Sequence, residues 1–396
     1  MLVELEMIKK QISEIKPWLI EIRREFHMYP ELGMEEHKTG DIICREFDKI
    51  GVEYTREVGN TGIVGIIRGN ESGKTVALRA DIDALPIEEA NKITYRSMVK
   101  GKMHACGHDA HTAIVLGCAK IITQHKDELK GNVKLFFQPA EETDGGALPM
   151  IKDGCMKDPK VDYTIGLHVA PYINTGKIEI KYGKLNASSD TIKIIIKGRK
   201  SHCAYPEAGV DAIVIAGQII TVLQTIMSRN ISPLDSAVLS FGIVNGGTVH
   251  NVLCDYVELT GTLRTYDVKI REYLKDRIKQ AVEGLACSMG GEGKVIIEKG
   301  YMSLINDSDV VDVIKENSEY ILGKENVVYK EKPSLGVEDF SFFTHYSKAA
   351  FYHLGCRNEE KGITAPLHSD LFNIDEDCLE IGVLLQIANA IKLLSK

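Results

Sequence analysis

Thr191-Ile192-Lys193-Ile194-Ile195-Ile196 opens the segment whose rhythm decides the fold. It reads as a strand, and residues 210–228 after it read as a helix. Ala237-Val238-Leu239-Ser240-Phe241-Gly242-Ile243 and residues 256–263 read as two more strands. A second helix over 267–289 and a strand at 294–298 complete the series. The order β-α-β-β-α-β is that of a ferredoxin-like split βαβ unit. Residues 187–302 are therefore expected to form an inserted α+β domain, a lid or dimerisation domain. Residues 1–186 and 303–396 then build one larger catalytic α/β domain of three αβα layers. At 396 residues the chain exceeds the size at which single cores stop growing, which agrees with two domains. The mostly apolar helix 210–228 is expected to pack against its own sheet, with a dimer contact as its second use.

Outward from the insertion, the flanks carry the chemistry. Residues 5–50 read as two amphipathic helices broken at Tyr29-Pro30-Glu31-Leu32-Gly33. Strands at 63–67 and 75–79 follow, and the second empties into Ala80-Asp81-Ile82-Asp83-Ala84-Leu85-Pro86. Open α/β sheets bind ligands beyond the carboxyl ends of their strands, so these two Asp stand where chemistry is done. The alternative is an Asp-rich turn bonding its own backbone. Next comes Met103-His104-Ala105-Cys106-Gly107-His108-Asp109-Ala110-His111, with three imidazoles, a thiol and a carboxylate in nine residues. A reduced thiol two residues from a His is a metal-binding pattern rather than a disulfide half.

A helix over 112–124 and a strand over 132–137 lead to Gln138-Pro139-Ala140 and the pair Glu141-Glu142. Neighbours in extended chain point in opposite directions, so one Glu can hold a metal while the other faces the attacking water. A strand at 163–167 delivers His168 at its end. Residues 336–340 form a loop entering a short helix, residues 350–354 a strand, and Pro366-Leu367-His368-Ser369 a loop. Residues 375–395 close the chain as a helix that Asn373 or Asp375 can cap.

Composition narrows the function classes. Hydrophobic content of 44% and charged content of 26% are those of an ordinary globular protein. A net charge of −8 argues against nucleic acid or an anionic membrane as the main partner. Nine scattered cysteines make no disulfide framework and are expected mostly as buried thiols. The first sixteen residues lack the apolar core of a signal peptide. The apolar run 212–227, with Gln218, Thr221, Gln224 and Thr225, reads as too short and polar to span a bilayer. These features point to a cytoplasmic enzyme. No phosphate-binding loop, dinucleotide fingerprint or Gly-x-Ser-x-Gly elbow occurs.

Taken together, the boxes resemble a known family. They are Arg79-Ala80-Asp81-Ile82-Asp83-Ala84-Leu85-Pro86, Cys106-Gly107-His108-Asp109, Gln138-Pro139-Ala140-Glu141-Glu142 and Gly166-Leu167-His168-Val169. His202 before a Pro, Asn251-Val252 and Leu367-His368-Ser369 complete the set. They are similar to the metal-dependent amidohydrolases that include hippurate hydrolase, indoleacetyl-amino-acid hydrolases and bacterial N-acyl-amino-acid deacylases. The likeness spans nearly the whole chain in the family's order. It implies two divalent ions held by Cys106, His108, Glu142, His168 and His368, with Glu141 as general base and Asp83 orienting a ligand. Five ligands are one too many for a single tetrahedral zinc with an open position, but they suit two ions sharing one ligand. Cys106, as thiolate, is expected to be the shared one. His202 and Asn251, assisted by Arg264, are expected to hydrogen-bond the oxyanion or the substrate carboxylate. Mixed thiolate, imidazole and carboxylate donors accept Zn, Mn, Co or Ni.

His104 and His111 flank the box and read as supporting or structural residues. His27, His37, His125, His250, His345 and His353 read as ordinary surface or packing residues. Thr143-Asp144, Tyr205-Pro206-Glu207 and Cys254 depart from the family pattern, and bear on which acyl group and amino acid are preferred. The expected reaction is hydrolysis of an N-acyl-L-amino acid. Cleavage of a dipeptide or a peptide end is the alternative, and a non-catalytic metal-binding protein stands behind both. The expected partner is a small molecule, with self-association through the inserted domain.

Overall fold

Runs of β-branched and aliphatic residues in the flanks give a mixed eight-stranded sheet in the computed structural model, which describes residues 2–396. Its strands run, edge to edge, Glu53–Val58, Gly62–Arg68, Lys130–Gln138, Glu71–Asp81, Tyr163–Asn174, Lys348–Arg357, Ile178–Ile180 and Val327–Tyr329. Lys130–Gln138, Glu71–Asp81, Tyr163–Asn174 and Lys348–Arg357 are parallel neighbours, so their carboxyl ends share one side of the sheet. Helices Leu2–Met28, His108–Gln124 and Asp377–Leu394 pack on one another, and their apolar residues join one core with the sheet. Helix His108–Gln124 is almost wholly buried, in keeping with its run of small and aliphatic residues.

The chain divides into two compact units. The larger comprises residues 1–183, 305–332 and 339–396, and the smaller residues 184–304 and 333–338. The expectation of an uninterrupted 303–396 segment in the larger domain is thus corrected. Residues 333–338 belong to the smaller unit because the Ala187 N–H donates to the carbonyls of Ser334 (3.1 Å) and Gly336 (3.2 Å). The Ser334 N–H in turn donates to the Leu185 carbonyl at 2.8 Å.

The smaller unit is a four-stranded antiparallel sheet ordered Glu292–Lys299, Ser188–Lys197, Tyr256–Thr265, Ala237–Gly246. In chain order that is 4-1-3-2, with helices Ala212–Arg229 and Val268–Ser288 as the crossovers, the ferredoxin-like arrangement read from the sequence. Ile192, Ile194 and Ile196 point into its core, where Ile215, Ile219, Leu223 and Ile226 meet them. Those four helical positions share one face by their spacing. The expectation that helix 210–228 is buried holds for that face only: Ile213 and Val214 are half exposed. The helix has 18 residues and a mean hydropathy of 1.5, so by length and composition it is long and apolar enough to cross a membrane. That corrects the sequence reading, which gave too much weight to its scattered Gln and Thr. All nine cysteines are free thiols, and only Cys203 and Cys287 are exposed.

Candidate metal centre

The carboxyl ends of the parallel strands carry the site. Asp81 ends its strand, and Asp83 follows in a fully buried loop that has no turn of its own. His108 is the first residue of helix His108–Gln124, not the residue four before it that the sequence suggested. Gly107, at φ +86, makes the left-handed step into that helix, and a side chain there would strike Val169. His168 lies within strand Tyr163–Asn174 rather than at its end, in register with His353 on the neighbouring strand. His368 sits in a loop at φ +63, and its N–H donates to the Ala105 carbonyl at 2.8 Å. That bond ties the most distant sequence box to the Cys106 box.

These side chains converge. The ligand atoms of Cys106, His108 and His168 lie within 4.8 Å of one another, as do those of Cys106, Glu142 and His368. Cys106 therefore belongs to both groups. Its Sγ is 3.3 Å from His168 Nε2, and Glu142 Oε1 is 3.1 Å from His368 Nε2. A further group joins His108, Glu141 and Glu142 within the same limit. The two neighbouring Glu thus do not diverge as residues of an extended chain would. Residues 141–144 form a turn, in which the Gly145 N–H returns to the Ala140 carbonyl at 2.9 Å.

Two of the candidate ligand imidazoles, His108 and His168, are oriented through their other nitrogen, a common device around bound metals. His108 Nδ1 faces Asp83 Oδ1 at 3.1 Å, which leaves a buried Nε2 with Asp81 Oδ2 3.7 Å away and no hydrogen-bond partner among the described residues. His168 Nδ1 donates to the Val169 carbonyl at 2.8 Å, which leaves Nε2 toward Cys106. Asp83 also accepts the Glu142 N–H through Oδ2 at 2.9 Å, so one carboxylate sets two ligands. Replacing Asp83 with Ala is expected to weaken metal affinity by ~10–100-fold, the usual scale for such supporting groups. Titration of metal-free protein with a divalent ion measures this, and unchanged affinity would remove Asp83 from the role.

The electrostatics favour cations. Burial pushes the Cys106 thiol well above its ordinary range, and Glu142 and Glu141 push it further. Burial opposes a charge on His108, yet Asp81, Asp83 and Glu142 outweigh it and raise the imidazole to about 10. A buried thiol and imidazole among carboxylates give up their protons readily only to a bound cation. The orphaned Nε2 and the mixed S, N and O donors fit divalent ions of the Zn, Mn, Co or Ni kind.

His111 and His104 are not in these three groups. His111 does stand near Asp81 and His108, but its Nδ1 meets Asp81 Oδ1 at 2.5 Å and its Nε2 accepts the Val169 N–H at 2.9 Å. With both nitrogens engaged it supports the floor of the site. Burial drives His104 down to about 3, keeping it neutral, and neither of its nitrogens has a hydrogen-bond partner among the described residues. His202 and Asn251 both lie in the smaller unit, where His202 bridges to Val252 and the Cys203 N–H donates to the Asn251 carbonyl at 3.1 Å. His202 Nδ1 accepts the Ala204 N–H at 3.1 Å, so the neutral ring carries its proton on Nε2 and presents a donor. Arg264 lies on strand Tyr256–Thr265 and donates to Thr262 Oγ1 at 2.8 Å.

Sequence reading missed how the box residues lean on one another. Buried Arg79 joins Asp81 at 2.6 Å and Asp339 at 2.9 Å. Gln138 donates to Asp339 Oδ2 at 2.7 Å. Beneath the Cys106 box, buried Arg23 and His27 reach Asp109 at 2.8 and 2.7 Å. The polar residues at positions 23 and 27, four apart on one face of an amphipathic helix, were the available signal.

Residues 77–388 match the family described as Peptidase family M20/M25/M40. Thermostable carboxypeptidase 1 of Saccharolobus solfataricus is 39% identical over 395 residues, 99% of either chain. N-acetyl-L-cysteine deacetylase of Bacillus subtilis is 38% identical, covering 93% of this chain and 86% of its own. The crystal structure of Bacillus subtilis YXEP protein, a dinuclear metal-binding peptidase of the M20 family, superposes with a TM-score of 0.84 at 32% identity. It covers 97% of this chain and 99% of its own. With residues 77–388 matched and its candidate ligand boxes gathered beyond the carboxyl ends of the parallel strands, the chain belongs to peptidase family M20/M25/M40.

Proposed function

We propose that the protein hydrolyses the amide bond of N-acyl-L-amino acids at a centre of two divalent ions. The observation that carries this is the thiol of Cys106 standing in two ligand groups at once, with the Glu141 carboxylate beside His108 and Glu142. In this reading Cys106, His108 and His168 hold one ion, and Cys106, Glu142 and His368 the other. The ions, when bound, polarise the scissile carbonyl and lower the pKa of water. Glu141 takes the proton from the attacking water and delivers it to the leaving amine nitrogen. Asp83 keeps His108 and the Glu142 backbone in place. His202, Asn251 and Arg264 serve the substrate carboxylate or the developing oxyanion. The enzyme works in the cytoplasm, with neither nucleic acid nor membrane as partner, and the smaller unit is its lid and its surface for homodimer formation.

A carboxypeptidase or dipeptidase activity at the same centre is the second reading, favoured by the 39% identity to the Saccharolobus solfataricus carboxypeptidase. A panel of acetylated and longer-acyl amino acids, assayed beside dipeptides and blocked peptides with each added metal, separates the two. The proposal expects the largest kcat/KM on an acylated amino acid. A larger kcat/KM on unblocked dipeptides or peptide ends would transfer the assignment to the peptidase reading.

A further inference from the structure

Two carboxylates clamp the backbone on either side of Glu141. On its C-terminal side Asp83 accepts the Glu142 N–H at 2.9 Å. On its N-terminal side Glu36 Oε1 accepts the Ala140 N–H, also at 2.9 Å. Glu36 stands immediately before helix His37–Ile50 and is completely buried. Its second oxygen accepts the hydroxyl of Thr61. The segment preceding it is docked as well: the Ala84 N–H donates to the Glu31 carbonyl at 2.8 Å, and a methyl on Gly33 would come within 2.9 Å of the Ala140 Cβ.

What this clamp holds is unusual backbone. Ala140 has φ +53, in the left-handed region that a residue with a Cβ avoids unless its surroundings over-determine it. A buried carboxylate is itself costly, and desolvation raises the Glu36 pKa despite the bonds from Thr61 and Ala140. Two neutral donors alone do not require a carboxylate, since a neutral acceptor would serve them. What keeps Ala140 in its strained turn is an acceptor with the reach of this side chain, charged or neutral. Without that turn the chain would run on extended, and Glu141 and Glu142 would point apart instead of both lying with His108.

We infer that Glu36 is a positioning residue for the reaction: by holding the Ala140 N–H it aims Glu141 at the reacting water. This rests on Glu141 being the general base. Four variants of the metal-loaded enzyme test it, with kcat, KM, metal content and melting temperature measured on the same samples. In Glu36→Ala kcat is expected to fall by between ~10-fold and ~10²-fold, the scale of a displacement near 1 Å, with KM and metal content unchanged. Glu36→Asp keeps the charge but falls short of the Ala140 N–H, and should lose kcat in the same way. Glu36→Gln keeps an acceptor for that N–H, with Thr61 turning to accept from the amide, and should stay within about threefold of the parent. The double variant Glu36→Ala with Ala140→Gly should recover at least part of kcat, because glycine adopts the left-handed turn unaided.

If Glu36 only braces the fold, melting temperature drops while kcat per folded, metal-loaded molecule is unchanged, and that result overturns the inference. Loss of metal in step with activity overturns it too. If Glu36→Ala does not fold, Glu36→Asp and Glu36→Gln decide, and equal kcat in those two counts against the inference. Failure of the underlying reading shows separately, as full turnover in Glu141→Gln.

Discussion

Replacing Glu141 with Gln is expected to leave the bound metal in place and to lower turnover by at least ~10²-fold, the usual contribution of a positioned acid–base group. The exchange changes little but the proton affinity of one side chain. Gln has nearly the shape of Glu, and the bonds from Glu36 and Asp83 that hold this turn are made to the backbone N–H groups of Ala140 and Glu142. The five proposed ligands are untouched. An amide, however, neither accepts the proton of the attacking water nor hands one to a leaving amine. Steady-state kinetics with elemental analysis on the same preparation gives both halves of the result. Full turnover with full metal would remove Glu141 from the mechanism.

Replacing Cys106 with Ala is expected to have the widest effect on metal content. The thiol belongs to both ligand groups, whereas His168 belongs to one and His368 to the other. Loss of a terminal ligand should empty chiefly its own site, as in His368→Ala or Glu142→Ala. Loss of the shared sulfur should deplete both, and with them an electrostatic contribution of several kcal/mol to the transition state. That corresponds to a fall in turnover of roughly 10²–10³-fold or more. Alanine is the better test than serine, whose hydroxyl remains a weak donor. A Cys106→Ala protein that keeps the parent's metal stoichiometry would refute the shared-ligand assignment.

Much of this architecture was legible in the sequence, and the reasons differ by element. The smaller unit was read correctly because each strand and helix there carries its own period, and 4-1-3-2 pairing follows from the βαββαβ order. Cys106, His108, Glu142, His168 and His368 came as a set from the likeness to the amidohydrolases, and the fold brings their side chains together. Less legible was anything set by a bond between remote residues. Residues 333–338 join the smaller unit through hydrogen bonds to Leu185 and Ala187, and no local periodicity announces them. The pair Glu141-Glu142 looked like extended chain because nothing nearby signals that Ala140 is left-handed. Its support, Glu36, is 104 positions away and reads locally as one more acidic residue at a helix start. Burial of Arg23 and His27 was hidden for the same reason: their partner Asp109 is brought in only by the packing of two helices.

The strand order has a consequence for how the molecule is made. Lys348–Arg357 lies in the middle of the large sheet, between Tyr163–Asn174 and Ile178–Ile180, although it is the last of the sheet's strands in chain order. A nascent chain already holding the first five strands must keep a slot open until residues 348–357 have been made, whereas all four strands of the insertion emerge together between residues 188 and 299. Ribosome stalling or truncation before residue 348 would therefore expose an unpaired apolar edge on Tyr163–Asn174, the kind of surface on which aggregation begins.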